Sequence, residues 1–309
     1  MNTPLDPLSL WTTSFVKEAI LNFVADVTNE HHADFVPAAD RIAVFDNDGT
    51  LWVEKPLLAE LTFIKEQLQF KRGKTDGERL SFFEKLKDVC EDAAQTLLSE
   101  AKDLAEDLLD GVTIHEYEQA VKEWISQALH PRFKQPYTSL TYSPMQQVLR
   151  LFQQHQFQCF IVSGGSTDFI RPWSGPIYQI DKPNVIGSSL RTKLVEKNKR
   201  LHLEYMPIPF YFDNGAAKVR SIARLIGKQP IAAFGNSSGD IEMLRYTRQA
   251  PRSLACLIHH TDNEREYAYS PDSSLHFGKD TLEYAKEGDW EVVNMKLHWL
   301  EVFGQPQRG

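Results

Sequence analysis

The stretch Ile42-Ala43-Val44-Phe45-Asp46-Asn47-Asp48-Gly49-Thr50-Leu51 constrains this chain more than any other. Four apolar residues in a row, without alternation, leave no polar face for water. They read as a strand buried on both sides within a parallel sheet. That strand delivers two carboxylates, one residue apart, to its C-terminal end and then turns at Gly49. Ligands of open α/β sheets bind outside the carboxyl ends of the strands. Acids on alternate residues of an extended chain point the same way, which suits a divalent cation and a shared reaction.

Two plainer readings compete for the same residues. An EF-hand loop needs acidic or amide ligands around its glycine and a glutamate at its twelfth position. Aligning Gly49 with the loop glycine puts Val44 first and Lys55 last, and a strand precedes where a helix should. The other reading is a solvated Asx turn that closes a strand, and only the rest of the chain decides against it.

Three further segments place polar groups at a strand end or a helix start. Cys159-Phe160-Ile161-Val162 runs into Ser163-Gly164-Gly165-Ser166, and Pro230-Ile231-Ala232-Ala233-Phe234 runs into Gly235-Asn236-Ser237-Ser238-Gly239-Asp240. Between them Ala216-Ala217-Lys218-Val219-Arg220 opens a helix after the Asn214-Gly215 turn. In order, these are an acid pair, a serine with glycines, a lysine, and a Gly-Asn-x-x-x-Asp loop. The set resembles the four motifs of the haloacid dehalogenase superfamily, in the branch that looks like phosphoserine phosphatase. The resemblance spans about 41–51 and 157–244. It implies a Rossmann-like, doubly wound α/β core with an α-helical cap between the first two motifs. The expected layout is a core of 1–51 and 140–309 and a cap of 52–139.

Within the expected cap, Glu, Lys, Leu and Ala are frequent, and Leu97, Leu98, Ala101, Leu104, Leu108 and Leu109 carry helical periodicity. The core resumes at Ser143-Pro144, which reads as a helix cap followed by proline in the first turn. Strands are expected at 157–162, 231–234 and 254–258, and a helix over 219–226 stops at Gly227. Segments 184–190 and 201–211 also look extended. Leu10, Trp11, Phe15, Ile20, Phe23, Val24 and Val27 fit one amphipathic helix that packs on the core, and 289–303 is apolar and aromatic enough to pack.

At 309 residues the chain holds enough apolar residues, 42%, for one large core with an insertion. A net charge of −8 argues against a nucleic-acid partner, which would want a basic face. Three cysteines, Cys90, Cys159 and Cys256, do not suggest a disulfide framework. No run approaches the roughly 18 apolar residues of a membrane span, and the N-terminus lacks a basic leader. The cytoplasm is the expected location.

A phosphate monoester repels an anionic nucleophile, and a bound Mg²⁺ relieves this while preferring hard oxygen ligands. The resemblance implies Asp46 as nucleophile and metal ligand, forming an aspartyl-phosphate. It implies Asp48 as the acid that protonates the leaving oxygen and then the base for water, with its backbone carbonyl on the metal. Ser163 and Gly164, with Gly165, would bind the phosphoryl oxygens. A cation early in a helix is locally disfavoured by the dipole, so Lys218 is expected to face an anion there; Arg220 and Lys228 are the nearest substitutes. Asn236 and Asp240 would complete the metal site, Asn236 standing where an aspartate is commoner and Asp240 doubling as helix N-cap. Glu54 lies near where the phosphoserine enzymes read the substrate amine, displaced by one residue.

The expected activity is Mg²⁺-dependent hydrolysis of a small phosphorylated metabolite. Transfer to another acceptor, as in a phosphotransferase or mutase, uses the same intermediate, and a catalytically silent binding protein is the alternative of a different kind. Dehalogenation has no leaving oxygen to protonate and would not need Asp48. The pairs His31-His32 and His259-His260 have no Cys or acid at spacing that completes a zinc site.

Overall fold

The computed structural model describes residues 6–72, 108–206, 211–272 and 280–304. Its strands, in chain order, are β1 Ile42–Phe45, β2 Gln158–Ser166, β3 Val185–Ser188, β4 Thr192–Lys197, β5 Arg200–Tyr205, β6 Ala232–Gly235, β7 Leu254–His259 and β8 Glu291–Asn294. Six of them form one sheet in the order β3-β2-β1-β6-β7-β8, parallel throughout. The chain leaves β1 for β2 and β3 on one side and returns to β6 on the other. The strand order therefore reverses beside β1, which opens a crevice at the C-terminal ends of β1 and β6.

Both faces of this sheet are covered, as the unbroken apolar run of β1 requires. Ala43 and Phe45 point into one cluster with Phe152, Ile161 and Phe234, whereas Ile42 and Val44 point into another with Phe160, Ile222 and Leu257. Phe45 stacks on Phe234 of the neighbouring strand at 4.7 Å. The first face is covered by α1 (Phe15–Thr28) and α4 (Ser143–Gln154); the second receives α6 (Ala216–Ser221), its continuation over Ile222–Ile226, α7 (Ile241–Arg248) and α8 (Thr281–Glu287). Gly227 ends the 222–226 turn with φ +72°, as expected.

Several expectations need correction. Helix α1 starts at Phe15, not before Leu10, because the Ser14 hydroxyl accepts from Lys17 N. Phe15 is 89% exposed, while Trp11 is bridged to Trp299. Ser143 lies inside α4 and is not its cap; its N–H donates to the Val302 carbonyl at 2.8 Å. Segment 289–303 supplies the edge strand β8, α9 (Met295–His298) and Trp299. Of the two unplaced extended segments, Val185–Ser188 joins the sheet edge. Arg200–Tyr205 instead pairs with β4 as a separate antiparallel hairpin, and 207–210 lie outside the described residues.

Segment 52–139 contributes helices α2 (Ala59–Arg72) and α3 (Ile114–Gln127). Thr113 and Glu116 form a reciprocal capping box at the start of α3. Leu108 and Leu109 are buried, whereas 97–104 and Cys90 lie outside the described residues. Phe63 of α2 packs on Tyr117 and Trp124 of α3 and on Phe169 of α5 (Thr167–Tyr178), with ring centroids 5.5–5.9 Å apart. Cys159 and Cys256 are buried free thiols. Among the described residues no helix is long and apolar enough to cross a membrane.

Candidate active site

The carboxyl ends of β1, β2 and β6 bring the sequence-derived residues together. Asp46 follows β1 directly and is tied to β6 by its N–H, which donates to the Phe234 carbonyl at 2.9 Å. The Lys218 ammonium, from the first turn of α6, donates to Asp46 Oδ1 at 2.7 Å and to Asp240 Oδ1 at 2.6 Å. Lys218 is 2% exposed. Burial pulls its pKa down, but the carboxylates of Asp240 and Asp46 outweigh this and raise it. The ammonium is thus held charged where the dipole alone would disfavour it. The substitutes do not enter: Arg220 is exposed and Lys228 pairs with Asp40.

Asp240 does not cap α7 with its side chain. Its Oδ2 turns back to accept from Asn236 N at 3.0 Å and Ser237 N at 3.1 Å. The carboxylate closes the 236–240 loop on itself, because Lys218 already claims its other oxygen.

Asp48 is positioned by a residue whose role was not legible in the sequence. The Trp52 indole N–H donates to Asp48 Oδ1 at 2.8 Å, and the indole stacks on Trp173 at 4.4 Å. Burial raises the Asp48 pKa to about 7; the Trp52 bond opposes this, and the Glu54 and Glu60 carboxylates add to it. Such a carboxyl is poised to give and take a proton near neutrality. Asp46 is also pushed well up by burial, with Lys218 pulling against it and Asp240 reinforcing it.

Ser163 and Gly164 belong to β2 itself, which runs on to Ser166 with an irregularity against β3 between Ser163 and Ser166. The strand expected to end at 162 therefore continues through Ser163–Ser166 as a bent strand end. Gly165 faces the acids closely: a Cβ there would crowd Asp48 Oδ2 and Ser163 Oγ at 3.3 Å and touch Glu60 Oε2 at 3.5 Å. Glu60, at the start of α2, was missed altogether. Its carboxylate accepts from Ser166 N at 2.8 Å and from the Ser166 hydroxyl, so a residue of segment 52–139 reaches the site. Burial raises its pKa. No local sequence signal marked it, since an acid in the first turn of a helix is ordinary. Glu54 is 7% exposed and lies against the Gly49 turn.

The end of the Asn236 amide tests whether this site suits a cation. It lies 3.2 Å from Thr50 Oγ1, 3.0 Å from the Asp48 carbonyl oxygen and 3.3 Å from Asp46 Oδ2. A carbonyl and a carboxylate only accept, so without an ion the amide must turn its N–H₂ toward them. Turned the other way, its oxygen joins theirs in an all-oxygen donor set that a hard divalent ion would favour. Gly49, at φ +74°, permits this crowding: a Cβ there would fall 2.0 Å from the Asn236 amide nitrogen. The residues fit the group.

Elsewhere His32 gathers with Asp26 and Asp34 so that one potential ligand atom of each lies within 4.8 Å of the others. Arg252 pairs with both acids, at 2.7 and 3.8 Å, and supplies the positive charge.

Fold and site together define an open α/β scaffold with its acids at the topological switch point. The model of the haloacid dehalogenase-like hydrolases matches residues 43–245, and the chain belongs to that family. Among solved structures, a conserved protein of unknown function from Anaerococcus prevotii is 15% identical, with 90% of this chain and 91% of that one covered and a TM-score of 0.55. A phosphoserine phosphohydrolase-like protein from Francisella tularensis is 16% identical over 71% of this chain and 87% of that one, with a TM-score of 0.40. No curated protein matches in sequence.

Proposed function

We propose that this protein is a Mg²⁺-dependent phosphatase that hydrolyses a small phosphomonoester through an aspartyl-phosphate on Asp46. The observation that carries the reading is the junction of Lys218 with Asp46 and Asp240, at 2.7 and 2.6 Å, beside Asp48 with its pKa near 7. Asp46 Oδ2, the Asp48 carbonyl and the Asn236 amide oxygen, with Asp240 adjoining, would hold the ion. Bound there, Mg²⁺ would neutralise charge on the phosphoryl group and lower its repulsion of the nucleophile.

Asp46 attacks phosphorus, and the bond to the leaving oxygen breaks as the Asp48 carboxyl gives up its proton to that oxygen. Asp48, now a carboxylate, takes a proton from the water that attacks the phosphorus of the aspartyl-phosphate. Phosphate departs and both acids return to their starting states. Lys218 supports the negative charge that builds on the transferring group. The Ser163 hydroxyl and the N–H groups around Gly164 and Gly165 orient its oxygens.

A panel of phosphate esters with Mg²⁺ tests the reading. Asp46→Asn should abolish turnover and the acid-stable phosphoprotein signal while leaving the circular dichroism unchanged. Retention of most of the wild-type hydrolysis would refute the nucleophile.

A further inference from the structure

The second histidine of the pair His259-His260 lies beneath the nucleophile turn and is used by none of the steps above. His260 is 2% exposed, and its Nε2 lies 2.7 Å from the Gly49 carbonyl oxygen. Its Nδ1 lies 3.1 Å from Glu266 Oε2. Glu266 is fully buried; its Oε1 accepts from the Tyr142 hydroxyl at 3.2 Å and its Oε2 from the Tyr267 N–H. The imidazole stacks on Tyr269 at 4.2 Å and 17°.

The Gly49 carbonyl only accepts, so His260 Nε2 carries hydrogen and donates to it. The hydrogen bond between Nδ1 and Glu266 Oε2 sets the orientation of the ring, and Glu266 is itself held by the donors from Tyr142 and Tyr267. The Tyr269 ring stacks beneath the imidazole, and Lys55 approaches the Tyr269 ring at 5.0 Å from its centroid.

The geometric consequence falls on the turn. Gly49 N–H donates to the Trp52 carbonyl at 2.9 Å, and Gly49 C=O is held by His260, so the peptides on both sides of Gly49 are fixed. The first of those peptides carries the Asp48 carbonyl that faces Asn236. We propose that the His260–Glu266 pair is a positioning device for the reaction, the imidazole Nε2–H clamping the Gly49 carbonyl so that the turn aims Asp46 and the Asp48 carbonyl correctly. This rests on reading 46–50 as the nucleophile turn. Groups that orient a ligand shell from behind commonly change metal affinity or activity by tenfold or more when removed.

The test has two arms on the full-length chain. In ¹⁵N-histidine-labelled protein at neutral pH, the His260 ring, assigned by its absence from His260→Gln, should show Nε2 protonated. A bare Nε2 in the wild-type protein overturns the proposal whatever the chain catalyses. In the second arm, p-nitrophenyl phosphate hydrolysis and Mg²⁺ titration calorimetry are compared in His260→Gln and His260→Leu. The leucine variant should lose roughly tenfold or more in kcat or Mg²⁺ affinity, with KM for the ester little changed. Glutamine, which retains a donor for Gly49, should recover part of that loss. Wild-type kcat and Mg²⁺ affinity in His260→Leu would refute the clamp. Should the leucine variant fail to fold, a glutamine variant that loses neither quantity, together with a bare wild-type Nε2, refutes it equally. Should the wild type hydrolyse no ester, the phosphatase reading falls while the nitrogen signals and Mg²⁺ affinity still decide the clamp.

Discussion

At Asp48, burial and hydrogen bonding act in opposite directions. Burial lifts the carboxyl to about 7, and the Trp52 indole N–H, by favouring the ionised form, restrains it. The proposed first step needs Asp48 protonated, so kcat/KM should fall as pH rises through about 7. Trp52→Phe removes the restraining donor, so this limb should move to higher pH; a limb that moves down or stays would refute Asp48 as the acid. At Asn236 the neutral amide can turn either its N–H₂ or its oxygen toward the Asp48 carbonyl and Asp46 Oδ2, which an aspartate cannot do. Asn236→Asp adds a charge at ligand distance, worth on the order of 1 kcal/mol even when screened, and should tighten Mg²⁺ binding roughly tenfold. Without Mg²⁺ the new carboxylate faces Asp46 Oδ2 and the Asp48 carbonyl, so the variant's Tm should drop and recover on adding the ion. A Tm indifferent to Mg²⁺ would place the ion elsewhere.

The elements of segment 52–139 share a core with the rest of the chain. Phe63 is 1% exposed and touches α3 and α5 through three aromatic rings. Trp124 extends the contact to Tyr137 at 5.5 Å. Because α5 follows the C-terminal end of β2 directly, packing in this cluster and geometry at Ser166 are mechanically linked, and Glu60 adds a polar tie at the same point. Phe63→Ala should cost about 3–5 kcal/mol in denaturant unfolding and shift one common transition. A separate early transition, with the core midpoint unchanged, would instead make these helices an independently folding lid.

On the scale of the molecule, segments distant in sequence clasp one edge of the sheet. Trp11 meets Trp299 edge-on at 5.9 Å, and its indole N–H donates to the Pro144 carbonyl at 3.1 Å. Leu300 N–H donates to the Leu10 carbonyl and Thr12 N–H to the His298 carbonyl, each at 2.9 Å. These bonds tie 10–12, the start of α4 and 298–300 into one piece. Trp11→Ala should therefore destabilise the whole chain by about 3–5 kcal/mol, read as a shift in the global midpoint, with KM unchanged. A loss confined to fraying of the terminal residues, seen as faster hydrogen exchange there alone, would refute the clasp.

The parallel sheet and the polar residues at its strand ends were legible because they are local. An unbroken apolar run, a glycine turn and the order of four short motifs need only neighbouring residues to be read, and physical chemistry assigns them the buried strand and its C-terminal edge. Asp46, Asp48, Ser163, Lys218, Asn236 and Asp240 could be named from such signals. What only the tertiary structure decided depends on contacts between distant segments. Trp52, Glu60 and His260 look like an ordinary aromatic, a helix-start acid and half of a histidine pair. They acquire meaning when the start of α2 reaches Ser166, when the Trp52 indole folds back on Asp48, and when the residue after β7 brings His260 against Gly49. The protonation of Asp48 belongs to the same class, since desolvation is set by everything packed around a group and not by its neighbours in the chain.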